Sequence, residues 1–210
     1  MIIKVCGMTD PENIRAVAAL NIHWMGFIFY KKSPRYLSEV PVLPTSLAGK
    51  EPKRVGVFVN PSLQEIRERV AAFRLDYVQL HGNESAAFCR HLQELGIAVI
   101  KAFSIETADD LQQTAVYEDH ADYFLFDTKS KYYGGSGKQF DWSLLAHYKG
   151  ATPFLLSGGI GPEDTEHIQR FHHPAWAGID LNSGFETAPG LKEPHKLNKF
   201  IQSIQTNKNK

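Results

Sequence analysis

The chain has 210 residues, with 23 Lys and Arg against 23 Asp and Glu, so its formal net charge is zero. This length suits one domain, and single α/β barrels commonly run to about 200–250 residues. Because the charges balance, no global field attracts nucleic acid or acidic membranes, and we expect neither as a partner.

The cysteine content and the absence of long apolar runs bear on the compartment. Only Cys6 and Cys89 occur, which excludes a disulfide framework. We see no secretory signal and no apolar run near the ~20 residues that a membrane span needs. We therefore expect a cytoplasmic protein with reduced thiols.

Short apolar runs alternate with segments of helical periodicity along the chain. The predicted strands are 2–6, 24–29, 54–59, 77–80, 98–102, 123–126, 153–156 and 175–181. The predicted helices are 12–20, 63–73, 84–95, 108–117, 162–171 and 193–204. Strands that are apolar on both faces are typical of a parallel sheet covered by helices.

Eight strands with mostly helical connections predict an α/β fold, a single-domain (β/α)8 TIM barrel over residues 1–205. The tail, 206–210, is polar, and we expect it to be frayed. The segment 31–52 is the weakest match, because Pro34, Pro41 and Pro44 leave room for only a short second helix. An open doubly wound sheet is the alternative, although no G-x-G-x-x-G follows the first strand.

Residues capable of chemistry follow the carboxyl ends of the predicted strands, where the active sites of such barrels lie. They are Cys6, Arg35, His81, Asp127, Gly158, Gly159, Asp180, Asn182 and Ser183, together with a glycine-rich stretch at 134–137. Their clustering on one rim is more informative than any single residue.

The glycines after strands seven and eight predict a phosphate site. Gly158 and Gly159 precede a helix that begins near residue 162, and Asn182 and Ser183 end the next strand. Backbone N–H groups at such a position bind phosphate, and glycine allows close approach. The alternative is that these glycines only form tight turns.

Asp127 and Cys6 are the candidate acid and base. Asp127 ends a very apolar strand, and partial burial would raise its pKa and suit it to general-acid work. The alternative is that Asp127 is a turn or N-cap aspartate. The same two interpretations apply to Asp180. Lys4 and Cys6 share a strand face, and a nearby ammonium favours the thiolate. A packed, unreactive Cys6 remains the alternative, and for Cys89 we favour that packed state.

The remaining polar signals are weaker. Arg35 follows a proline, and its guanidinium fork suits a carboxylate, although a solvated surface arginine is the alternative. His81 is either a pocket residue or a satisfied polar side chain. The nine histidines are scattered, with no H-E-x-x-H motif and no Cys/His cluster at zinc spacing, so we expect no metal.

Taken in order, the rim segments resemble the phosphoribosylanthranilate isomerase family of tryptophan biosynthesis. The matching stretches include KVCGMT from Lys4, SPR ending at Arg35, QLHG from Gln79, FDT around Asp127, GGSG at 134–137, LSGGI through Gly158, GIDLNSGFE through Asp180 and PGLK ending at Lys192. Singly most are weak, but in this order they cover nearly the whole chain.

The resemblance implies a cofactor-free Amadori rearrangement of N-(5-phosphoribosyl)anthranilate to 1-(2-carboxyphenylamino)-1-deoxyribulose 5-phosphate. By motif, Asp127 protonates the ribose ring oxygen and Cys6 removes the C2′ proton. The resemblance also assigns binding roles: Arg35 to the anthranilate carboxylate, Asp180 to the sugar pocket, and the backbone groups of Gly158, Gly159 and Ser183 to the phosphate. From their positions on the rim we add His81 to the substrate pocket and Asn182 to the phosphate site. Gly7 is then interpreted as room for substrate beside the thiol, and we expect a monomer rather than a dimer.

Two other functions stay open at this point. The related histidine-pathway isomerase performs the same rearrangement, but that family carries an aspartate where Cys6 stands and two similar half-barrels, which this chain lacks. A non-catalytic barrel that binds a phosphorylated ligand would need the glycine loops but not Cys6 together with Asp127.

Overall fold

The computed structural model describes residues 1–39, 51–128 and 139–205. Its centre is a closed barrel of eight parallel strands in which each strand pairs with the next and the last pairs with the first. The strands are β1 (Ile2–Val5), β2 (Trp24–Ile28), β3 (Lys53–Phe58), β4 (Tyr77–Leu80), β5 (Ala98–Ile105), β6 (Tyr123–Thr128), β7 (Phe154–Leu156) and β8 (Trp176–Leu181). The predicted (β/α)8 barrel is confirmed.

Helices surround the barrel and connect successive strands. The α-helices are α1 (Pro11–Ala18), α2 (Leu63–Phe73), α3 (Ala86–Glu94), α4 (Thr165–Arg170) and α5 (Pro194–Gln205). Among the described residues, four 3₁₀ segments cover Ala108–Tyr117, Trp142–His147, Pro162–Asp164 and Ser183–Phe185. A small antiparallel hairpin of β9 (Glu186–Ala188) and β10 (Leu191–Lys192) lies between β8 and α5.

The helix starts follow their capping residues. The Asp10 side chain accepts a hydrogen bond from the N–H of Asn13 at 2.7 Å, with proline at the first helical position of α1. Ser62 and Ser85 cap α2 and α3 in the same way. Each cap satisfies an N–H group that has no partner inside the helix, so these sequences begin a helix where they do.

The predicted helix over 108–117 is a 3₁₀ helix. The Thr114 hydroxyl donates to the carbonyl of Leu111 at 2.7 Å, and the Gln113 amide donates to the carbonyl of Asp110 at 2.7 Å. Side chains that bond to carbonyls three residues back compete with α-helical pairing, which favours the tighter winding.

Three sequence predictions concern residues outside the described ranges. They are most of the short second helix expected within 31–52, the glycine-rich stretch at 134–137, and the frayed tail at 206–210. Within the described ranges no helix is long and apolar enough to cross a membrane.

The core has two parts because strand side chains alternate between the barrel interior and the helical layer. A large apolar cluster fills the space between strands and helices. A smaller cluster fills the interior and consists of Trp24, Val55, Ile100, Ala102, Leu125 and Leu155. These residues lie in the first half or middle of their strands, which leaves the carboxyl end of the barrel to polar side chains.

Candidate active site

A cavity of about 750 Å³, counting the space at its open mouth, lies at the carboxyl end of the barrel. Every site residue named from the sequence lines it: Cys6, Arg35, His81, Asp127, Gly158, Gly159, Asp180, Asn182 and Ser183. Gln79, Ser157 and the apolar Ile28 and Val57 also contribute to the wall. The fold therefore brings together residues from the ends of seven strands or the loops that follow them.

Cys6 follows β1 directly and points into the barrel, with only 4% of its surface exposed. The neighbouring strand makes room for it at Gly26, where an added Cβ would lie 2.6 Å from the Cys6 sulfur. Because strand backbone cannot easily move, glycine at this position allows the thiol to occupy the barrel interior.

Lys4 lies on the same face as Cys6, as the alternation predicts, and it is fully buried. Its ammonium donates to Asp180 Oδ1 across 2.9 Å. Burial alone would lower the pKa of Lys4, but Asp180 and Cys6 raise it above its usual value. The ion pair therefore holds a positive charge beside the thiol.

The expectation that Lys4 shifts Cys6 toward the thiolate is only half met. Burial raises the pKa of the Cys6 thiol above its ordinary value, and the attraction of Lys4 offsets this only in part because Asp180 opposes it. Desolvation disfavours the charged form, so Cys6 rests as the thiol at neutral pH. Once formed, its thiolate is a stronger base than that of an exposed cysteine.

Asp127 is held at the end of β6 by its own neighbour. Its Oδ1 accepts the N–H of Thr128 at 2.9 Å, and its Oδ2 lies 3.4 Å from Nε2 of His81. The Asp127 side chain is 17% exposed, so the carboxyl faces the cavity rather than solvent outside the barrel. His81 thus lies beside the candidate acid.

Gln79 is a site residue to which the sequence reasoning gave no role. It is 1% exposed, and its Nε2 lies 3.4 Å from Nδ1 of His81. Its Oε1 has no hydrogen-bond partner within the described residues. The sequence did contain a signal for Gln79, because an amide side chain is unusual at a buried position of a strand such as 77–80.

The two glycines after β7 adopt left-handed backbone conformations, with φ of +90° at Gly158 and +69° at Gly159. A Cβ on Gly158 would lie 2.2 Å from Thr128 Oγ1 and 2.9 Å from Asp127 Oδ1. The glycines therefore form a tight turn that lines the cavity beside Asp127. The phosphate site predicted from these glycines stays a prediction.

Arg35 is not a solvated surface arginine. It is 8% exposed, and its Nε and Nη2 bind the carboxylate of Glu186 at 2.8 and 2.5 Å. The hydrogen bond to Glu186 raises the pKa of Arg35. Burial alone would raise the pKa of Glu186, but the hydrogen bonds from Arg35 and Lys192 lower it.

Lys192 and Asn13 complete this cluster, and sequence reasoning missed both. Lys192 Nζ binds Glu186 and donates to Asn182 Oδ1 at 2.8 Å. The Asn13 side chain accepts from the N–H of Lys192 and donates to its carbonyl, both at 2.8 Å. The cluster joins β10 to α1 and to the rim of the barrel.

Gly7 does not provide the room for substrate beside the thiol that we expected. Its φ is +75°, and an added Cβ would lie 2.6 Å from Arg35 Cδ and 2.9 Å from Asn182 Oδ1. The space beside Gly7 is occupied by the side chains of Arg35 and Asn182, which pack against its backbone. The glycine therefore makes room for these two side chains and not for substrate.

Residues 3–203 match the family model for N-(5′-phosphoribosyl)anthranilate (PRA) isomerase. The chain is 56% identical to the N-(5′-phosphoribosyl)anthranilate isomerase of Parabacteroides distasonis over 206 residues, which are 97% of this chain and 93% of that protein. The enzyme of the same name from Phocaeicola vulgatus is 50% identical, over 98% of each chain.

Solved structures agree with these matches. Phosphoribosyl anthranilate isomerase from Thermus thermophilus superposes with a TM-score of 0.83 at 28% identity, over 98% of this chain and 99% of that one. A phosphoribosyl anthranilate isomerase in complex with reduced 1-(o-carboxyphenylamino)-1-deoxyribulose 5-phosphate has a TM-score of 0.78 at 30% identity, over 98% and 100%. The similar enzyme of Thermotoga maritima is described as dimeric.

Proposed function

The chain belongs to the phosphoribosylanthranilate isomerase family, and from this premise we propose which of its residues carry the reaction. The protein is an enzyme of tryptophan biosynthesis that isomerises N-(5′-phosphoribosyl)anthranilate, an aldose–ketose rearrangement. The proposal is that Asp127 acts as the general acid and Cys6 as the general base.

In the first step Asp127 gives its proton to the ribose ring oxygen, and the C1′–O bond breaks to leave an iminium. The resulting carboxylate is stabilised by the N–H of Thr128, which already contacts Oδ1, and by His81 near Oδ2.

In the second step the Cys6 thiolate removes the C2′ proton, which the iminium has made acidic, and the enolamine becomes the ketone as its C2′ hydroxyl gives a proton to water and C1′ takes one from water. Cys6 then holds a proton and Asp127 lacks one, and exchange with water returns Cys6 to the thiolate and Asp127 to the acid. Lys4 supports this step because its ammonium favours the thiolate that acts as the base. Asp180 holds Lys4 in place at 2.9 Å.

Substrate binding follows from the two ends of the cavity. We assign the phosphate to the backbone groups of Gly158, Gly159 and Ser183, which line one wall. We assign the anthranilate carboxylate to Arg35, whose guanidinium is held by Glu186. The phosphoribosyl chain would then lie across the cavity between Cys6 and Asp127.

The observation that carries the proposal is that Cys6 and Asp127 line one cavity from β1 and β6, with glycine turns beside them. The test is the loss of anthranilate fluorescence with purified protein and substrate. We expect Cys6→Ser and Asp127→Asn each to lower kcat by about 10²–10⁴-fold, the usual contribution of a general acid or base.

Two matched variants control for the substitution itself. Cys89→Ala changes the other cysteine, which is buried in α3, and Asp109→Asn changes an exposed carboxylate. Both should keep wild-type turnover. Wild-type turnover in either Cys6→Ser or Asp127→Asn would rule out the role of that residue, while the wild-type rate itself reports the isomerase activity.

A further inference from the structure

The guanidinium of Arg35 is bound along one edge only. Glu186 contacts Nε and Nη2, and no described residue accepts a hydrogen bond from Nη1. Arg35 lines the cavity. Since a guanidinium presents donors on more than one edge, Glu186 holds the group in place and leaves Nη1 for a ligand.

The hydrogen bond from Lys192 defines the orientation of the Asn182 amide. Its Oδ1 accepts from Lys192 Nζ at 2.8 Å, and a lysine ammonium has only donors, so the atom facing it has to be the oxygen. The other end of the amide is therefore the Nδ2 group, and no described residue accepts a hydrogen bond from it. Asn182 lines the cavity, whereas Lys192 lies behind it.

Arg35 and Asn182 meet at Gly7. A Cβ there would touch both side chains, at 2.6 Å from Arg35 Cδ and 2.9 Å from Asn182 Oδ1. The free Nη1 and Nδ2 donors thus belong to neighbouring side chains on one wall of the cavity. This wall lies next to Cys6, because Gly7 follows it in the chain.

The charge of this wall favours an anion. Arg35 and Lys192 supply two positive charges, and Glu186 between them supplies one negative charge. The nearby Lys4 and Asp180 cancel each other. The buried cluster keeps one uncompensated positive charge, which a carboxylate can neutralise.

We propose that Asn182 is a specificity residue that binds the carboxylate of the anthranilate ring together with Arg35, and that Lys192 is the positioning residue that orients its amide. This inference rests on the proposed function and changes the role of the Asn182 side chain, which the sequence assigned to the phosphate. Arg35 and Asn182 together select substrates with a carboxylate ortho to the amine over substrates without one.

The test compares two substrates that differ only in this group. One is N-(5-phosphoribosyl)anthranilate, and the other is N-(5-phosphoribosyl)aniline, formed from aniline and ribose 5-phosphate, with turnover followed by proton NMR of the ribose. We expect Asn182→Ala to lower kcat/KM for the anthranilate substrate about 10- to 100-fold, mainly through KM, which corresponds to one hydrogen bond to a charged group. The aniline substrate should lose less than about threefold.

Lys192→Met tests the positioning role. Methionine has similar length but no donor, so the Asn182 amide is free to rotate and Nδ2 is no longer directed to the cavity. We expect the same selective rise in KM for the anthranilate substrate, smaller than with Asn182→Ala, and little change in kcat. A role confined to folding would instead affect both substrates equally.

Asn21→Ala, at an exposed position three residues after the end of α1, is the matched control and should leave both substrates unaffected. An equal loss with both substrates in Asn182→Ala would overturn the proposal and return the residue to the phosphate or sugar. No loss with the anthranilate substrate would also overturn it.

A binding measurement separates this inference from the catalytic assignment. Calorimetry measures the affinity for reduced 1-(o-carboxyphenylamino)-1-deoxyribulose 5-phosphate, an analogue of the product. Because this compound does not turn over, its affinity reports the carboxylate contact without a contribution from catalysis. Asn182→Ala should weaken its binding about 10- to 100-fold even in a Cys6→Ser background. Unchanged binding in Asn182→Ala would overturn the carboxylate contact while leaving the assignment of Cys6 and Asp127 untouched.

Discussion

Gly26 on β2 determines how Cys6 is placed inside the barrel. An added methyl group would lie 2.6 Å from the sulfur and 3.1 Å from Cys6 Cα, and Cys6 directly follows β1, the strand that pairs with β2. Side-chain rotation alone cannot relieve a contact with backbone. The position of the Cys6 thiol therefore depends on a glycine that is not among the residues lining the cavity.

We expect Gly26→Ala to lower the free energy of unfolding by about 1–3 kcal/mol, the usual cost of overpacking, and to lower kcat because the sulfur is displaced. Urea denaturation and turnover measure the two effects. Gly96→Ala is the control: its Cβ would meet nothing within 4 Å, although its φ of +76° makes alanine strained there. It should lose stability but keep wild-type kcat, and an unaltered kcat in Gly26→Ala would contradict the argument.

Lys4 affects how much of Cys6 is thiolate at a given pH. Burial raises the pKa of Cys6 and Lys4 partly lowers it, so the thiolate fraction at neutral pH should depend on the Lys4 ammonium. Lys4→Met removes the cation and leaves Asp180 unpaired beside the thiol, and both changes raise the pKa of Cys6 further.

The thiolate fraction, and with it kcat/KM at neutral pH, should therefore fall in Lys4→Met. The fall should be about tenfold each time the pKa of Cys6 rises by one, because the thiolate fraction falls by that factor. A pH profile of kcat/KM measures this. Lys149→Met, at an exposed lysine, should reproduce the wild-type profile. An unchanged or higher kcat/KM at neutral pH in Lys4→Met would contradict the role of the ammonium.

At the scale of elements, the hairpin of β9 and β10 is tied to α1 by one asparagine. The Asn13 side chain binds both backbone groups of Lys192 at 2.8 Å, in the manner of a strand partner. Asn13 is only 8% exposed. If its side chain were removed, water could not easily reach the N–H and carbonyl groups of Lys192 to replace its hydrogen bonds. The position of Lys192, and through it Glu186 and Arg35, depends on this contact.

We expect Asn13→Ala to lower the free energy of unfolding by about 2–4 kcal/mol, because two buried backbone groups lose their partner, and to raise KM. Urea denaturation with parallel kinetics measures both. The exposed Asn21→Ala should change stability by less than about 0.5 kcal/mol. A loss in Asn13→Ala no larger than in Asn21→Ala would show that the hairpin is held by other contacts.

Strand prediction succeeded because apolar runs on both faces leave few alternatives, and all eight predicted strands occur at nearly the predicted positions. Helix type was harder to predict. Ala108–Tyr117 has a helical pattern, but side-chain bonds to its carbonyls give it 3₁₀ winding. The hairpin Glu186–Lys192 was not predicted at all, since strands of two or three residues carry no periodicity.

At the scale of the whole molecule, the described surface offers little for self-association. Its exposed large apolar side chains are Leu95, Val116 and Leu191, which lie on different elements. A stable dimer usually buries about 1,600 Å² with an apolar centre. We therefore retain the expectation of a monomer, unlike the dimeric relative.

Size-exclusion chromatography with light scattering measures this directly. The expected mass is that of one chain, 23.6 kDa, over the whole concentration range used for kinetics. A mass near twice that value, or one that rises with concentration, would contradict the monomer.

The sequence by itself determined the barrel, the rim and the identity of the candidate acid, base and phosphate loops. Strand order and side-chain alternation are local patterns, and in a parallel barrel they force Cys6, Asp127 and the glycines of 158–159 to the same end. The order of the motifs then identified the family.

Only the tertiary structure decided what surrounds these residues. Three site residues each contact a residue from another strand or loop. Asn182 contacts Lys192, Arg35 contacts Glu186, and Cys6 lies against Gly26. The pKa of Cys6 depends on burial and on the Lys4–Asp180 pair, whose members are far apart in sequence. Such contacts arise when the barrel closes, because closure brings distant segments together at distances that no local pattern encodes.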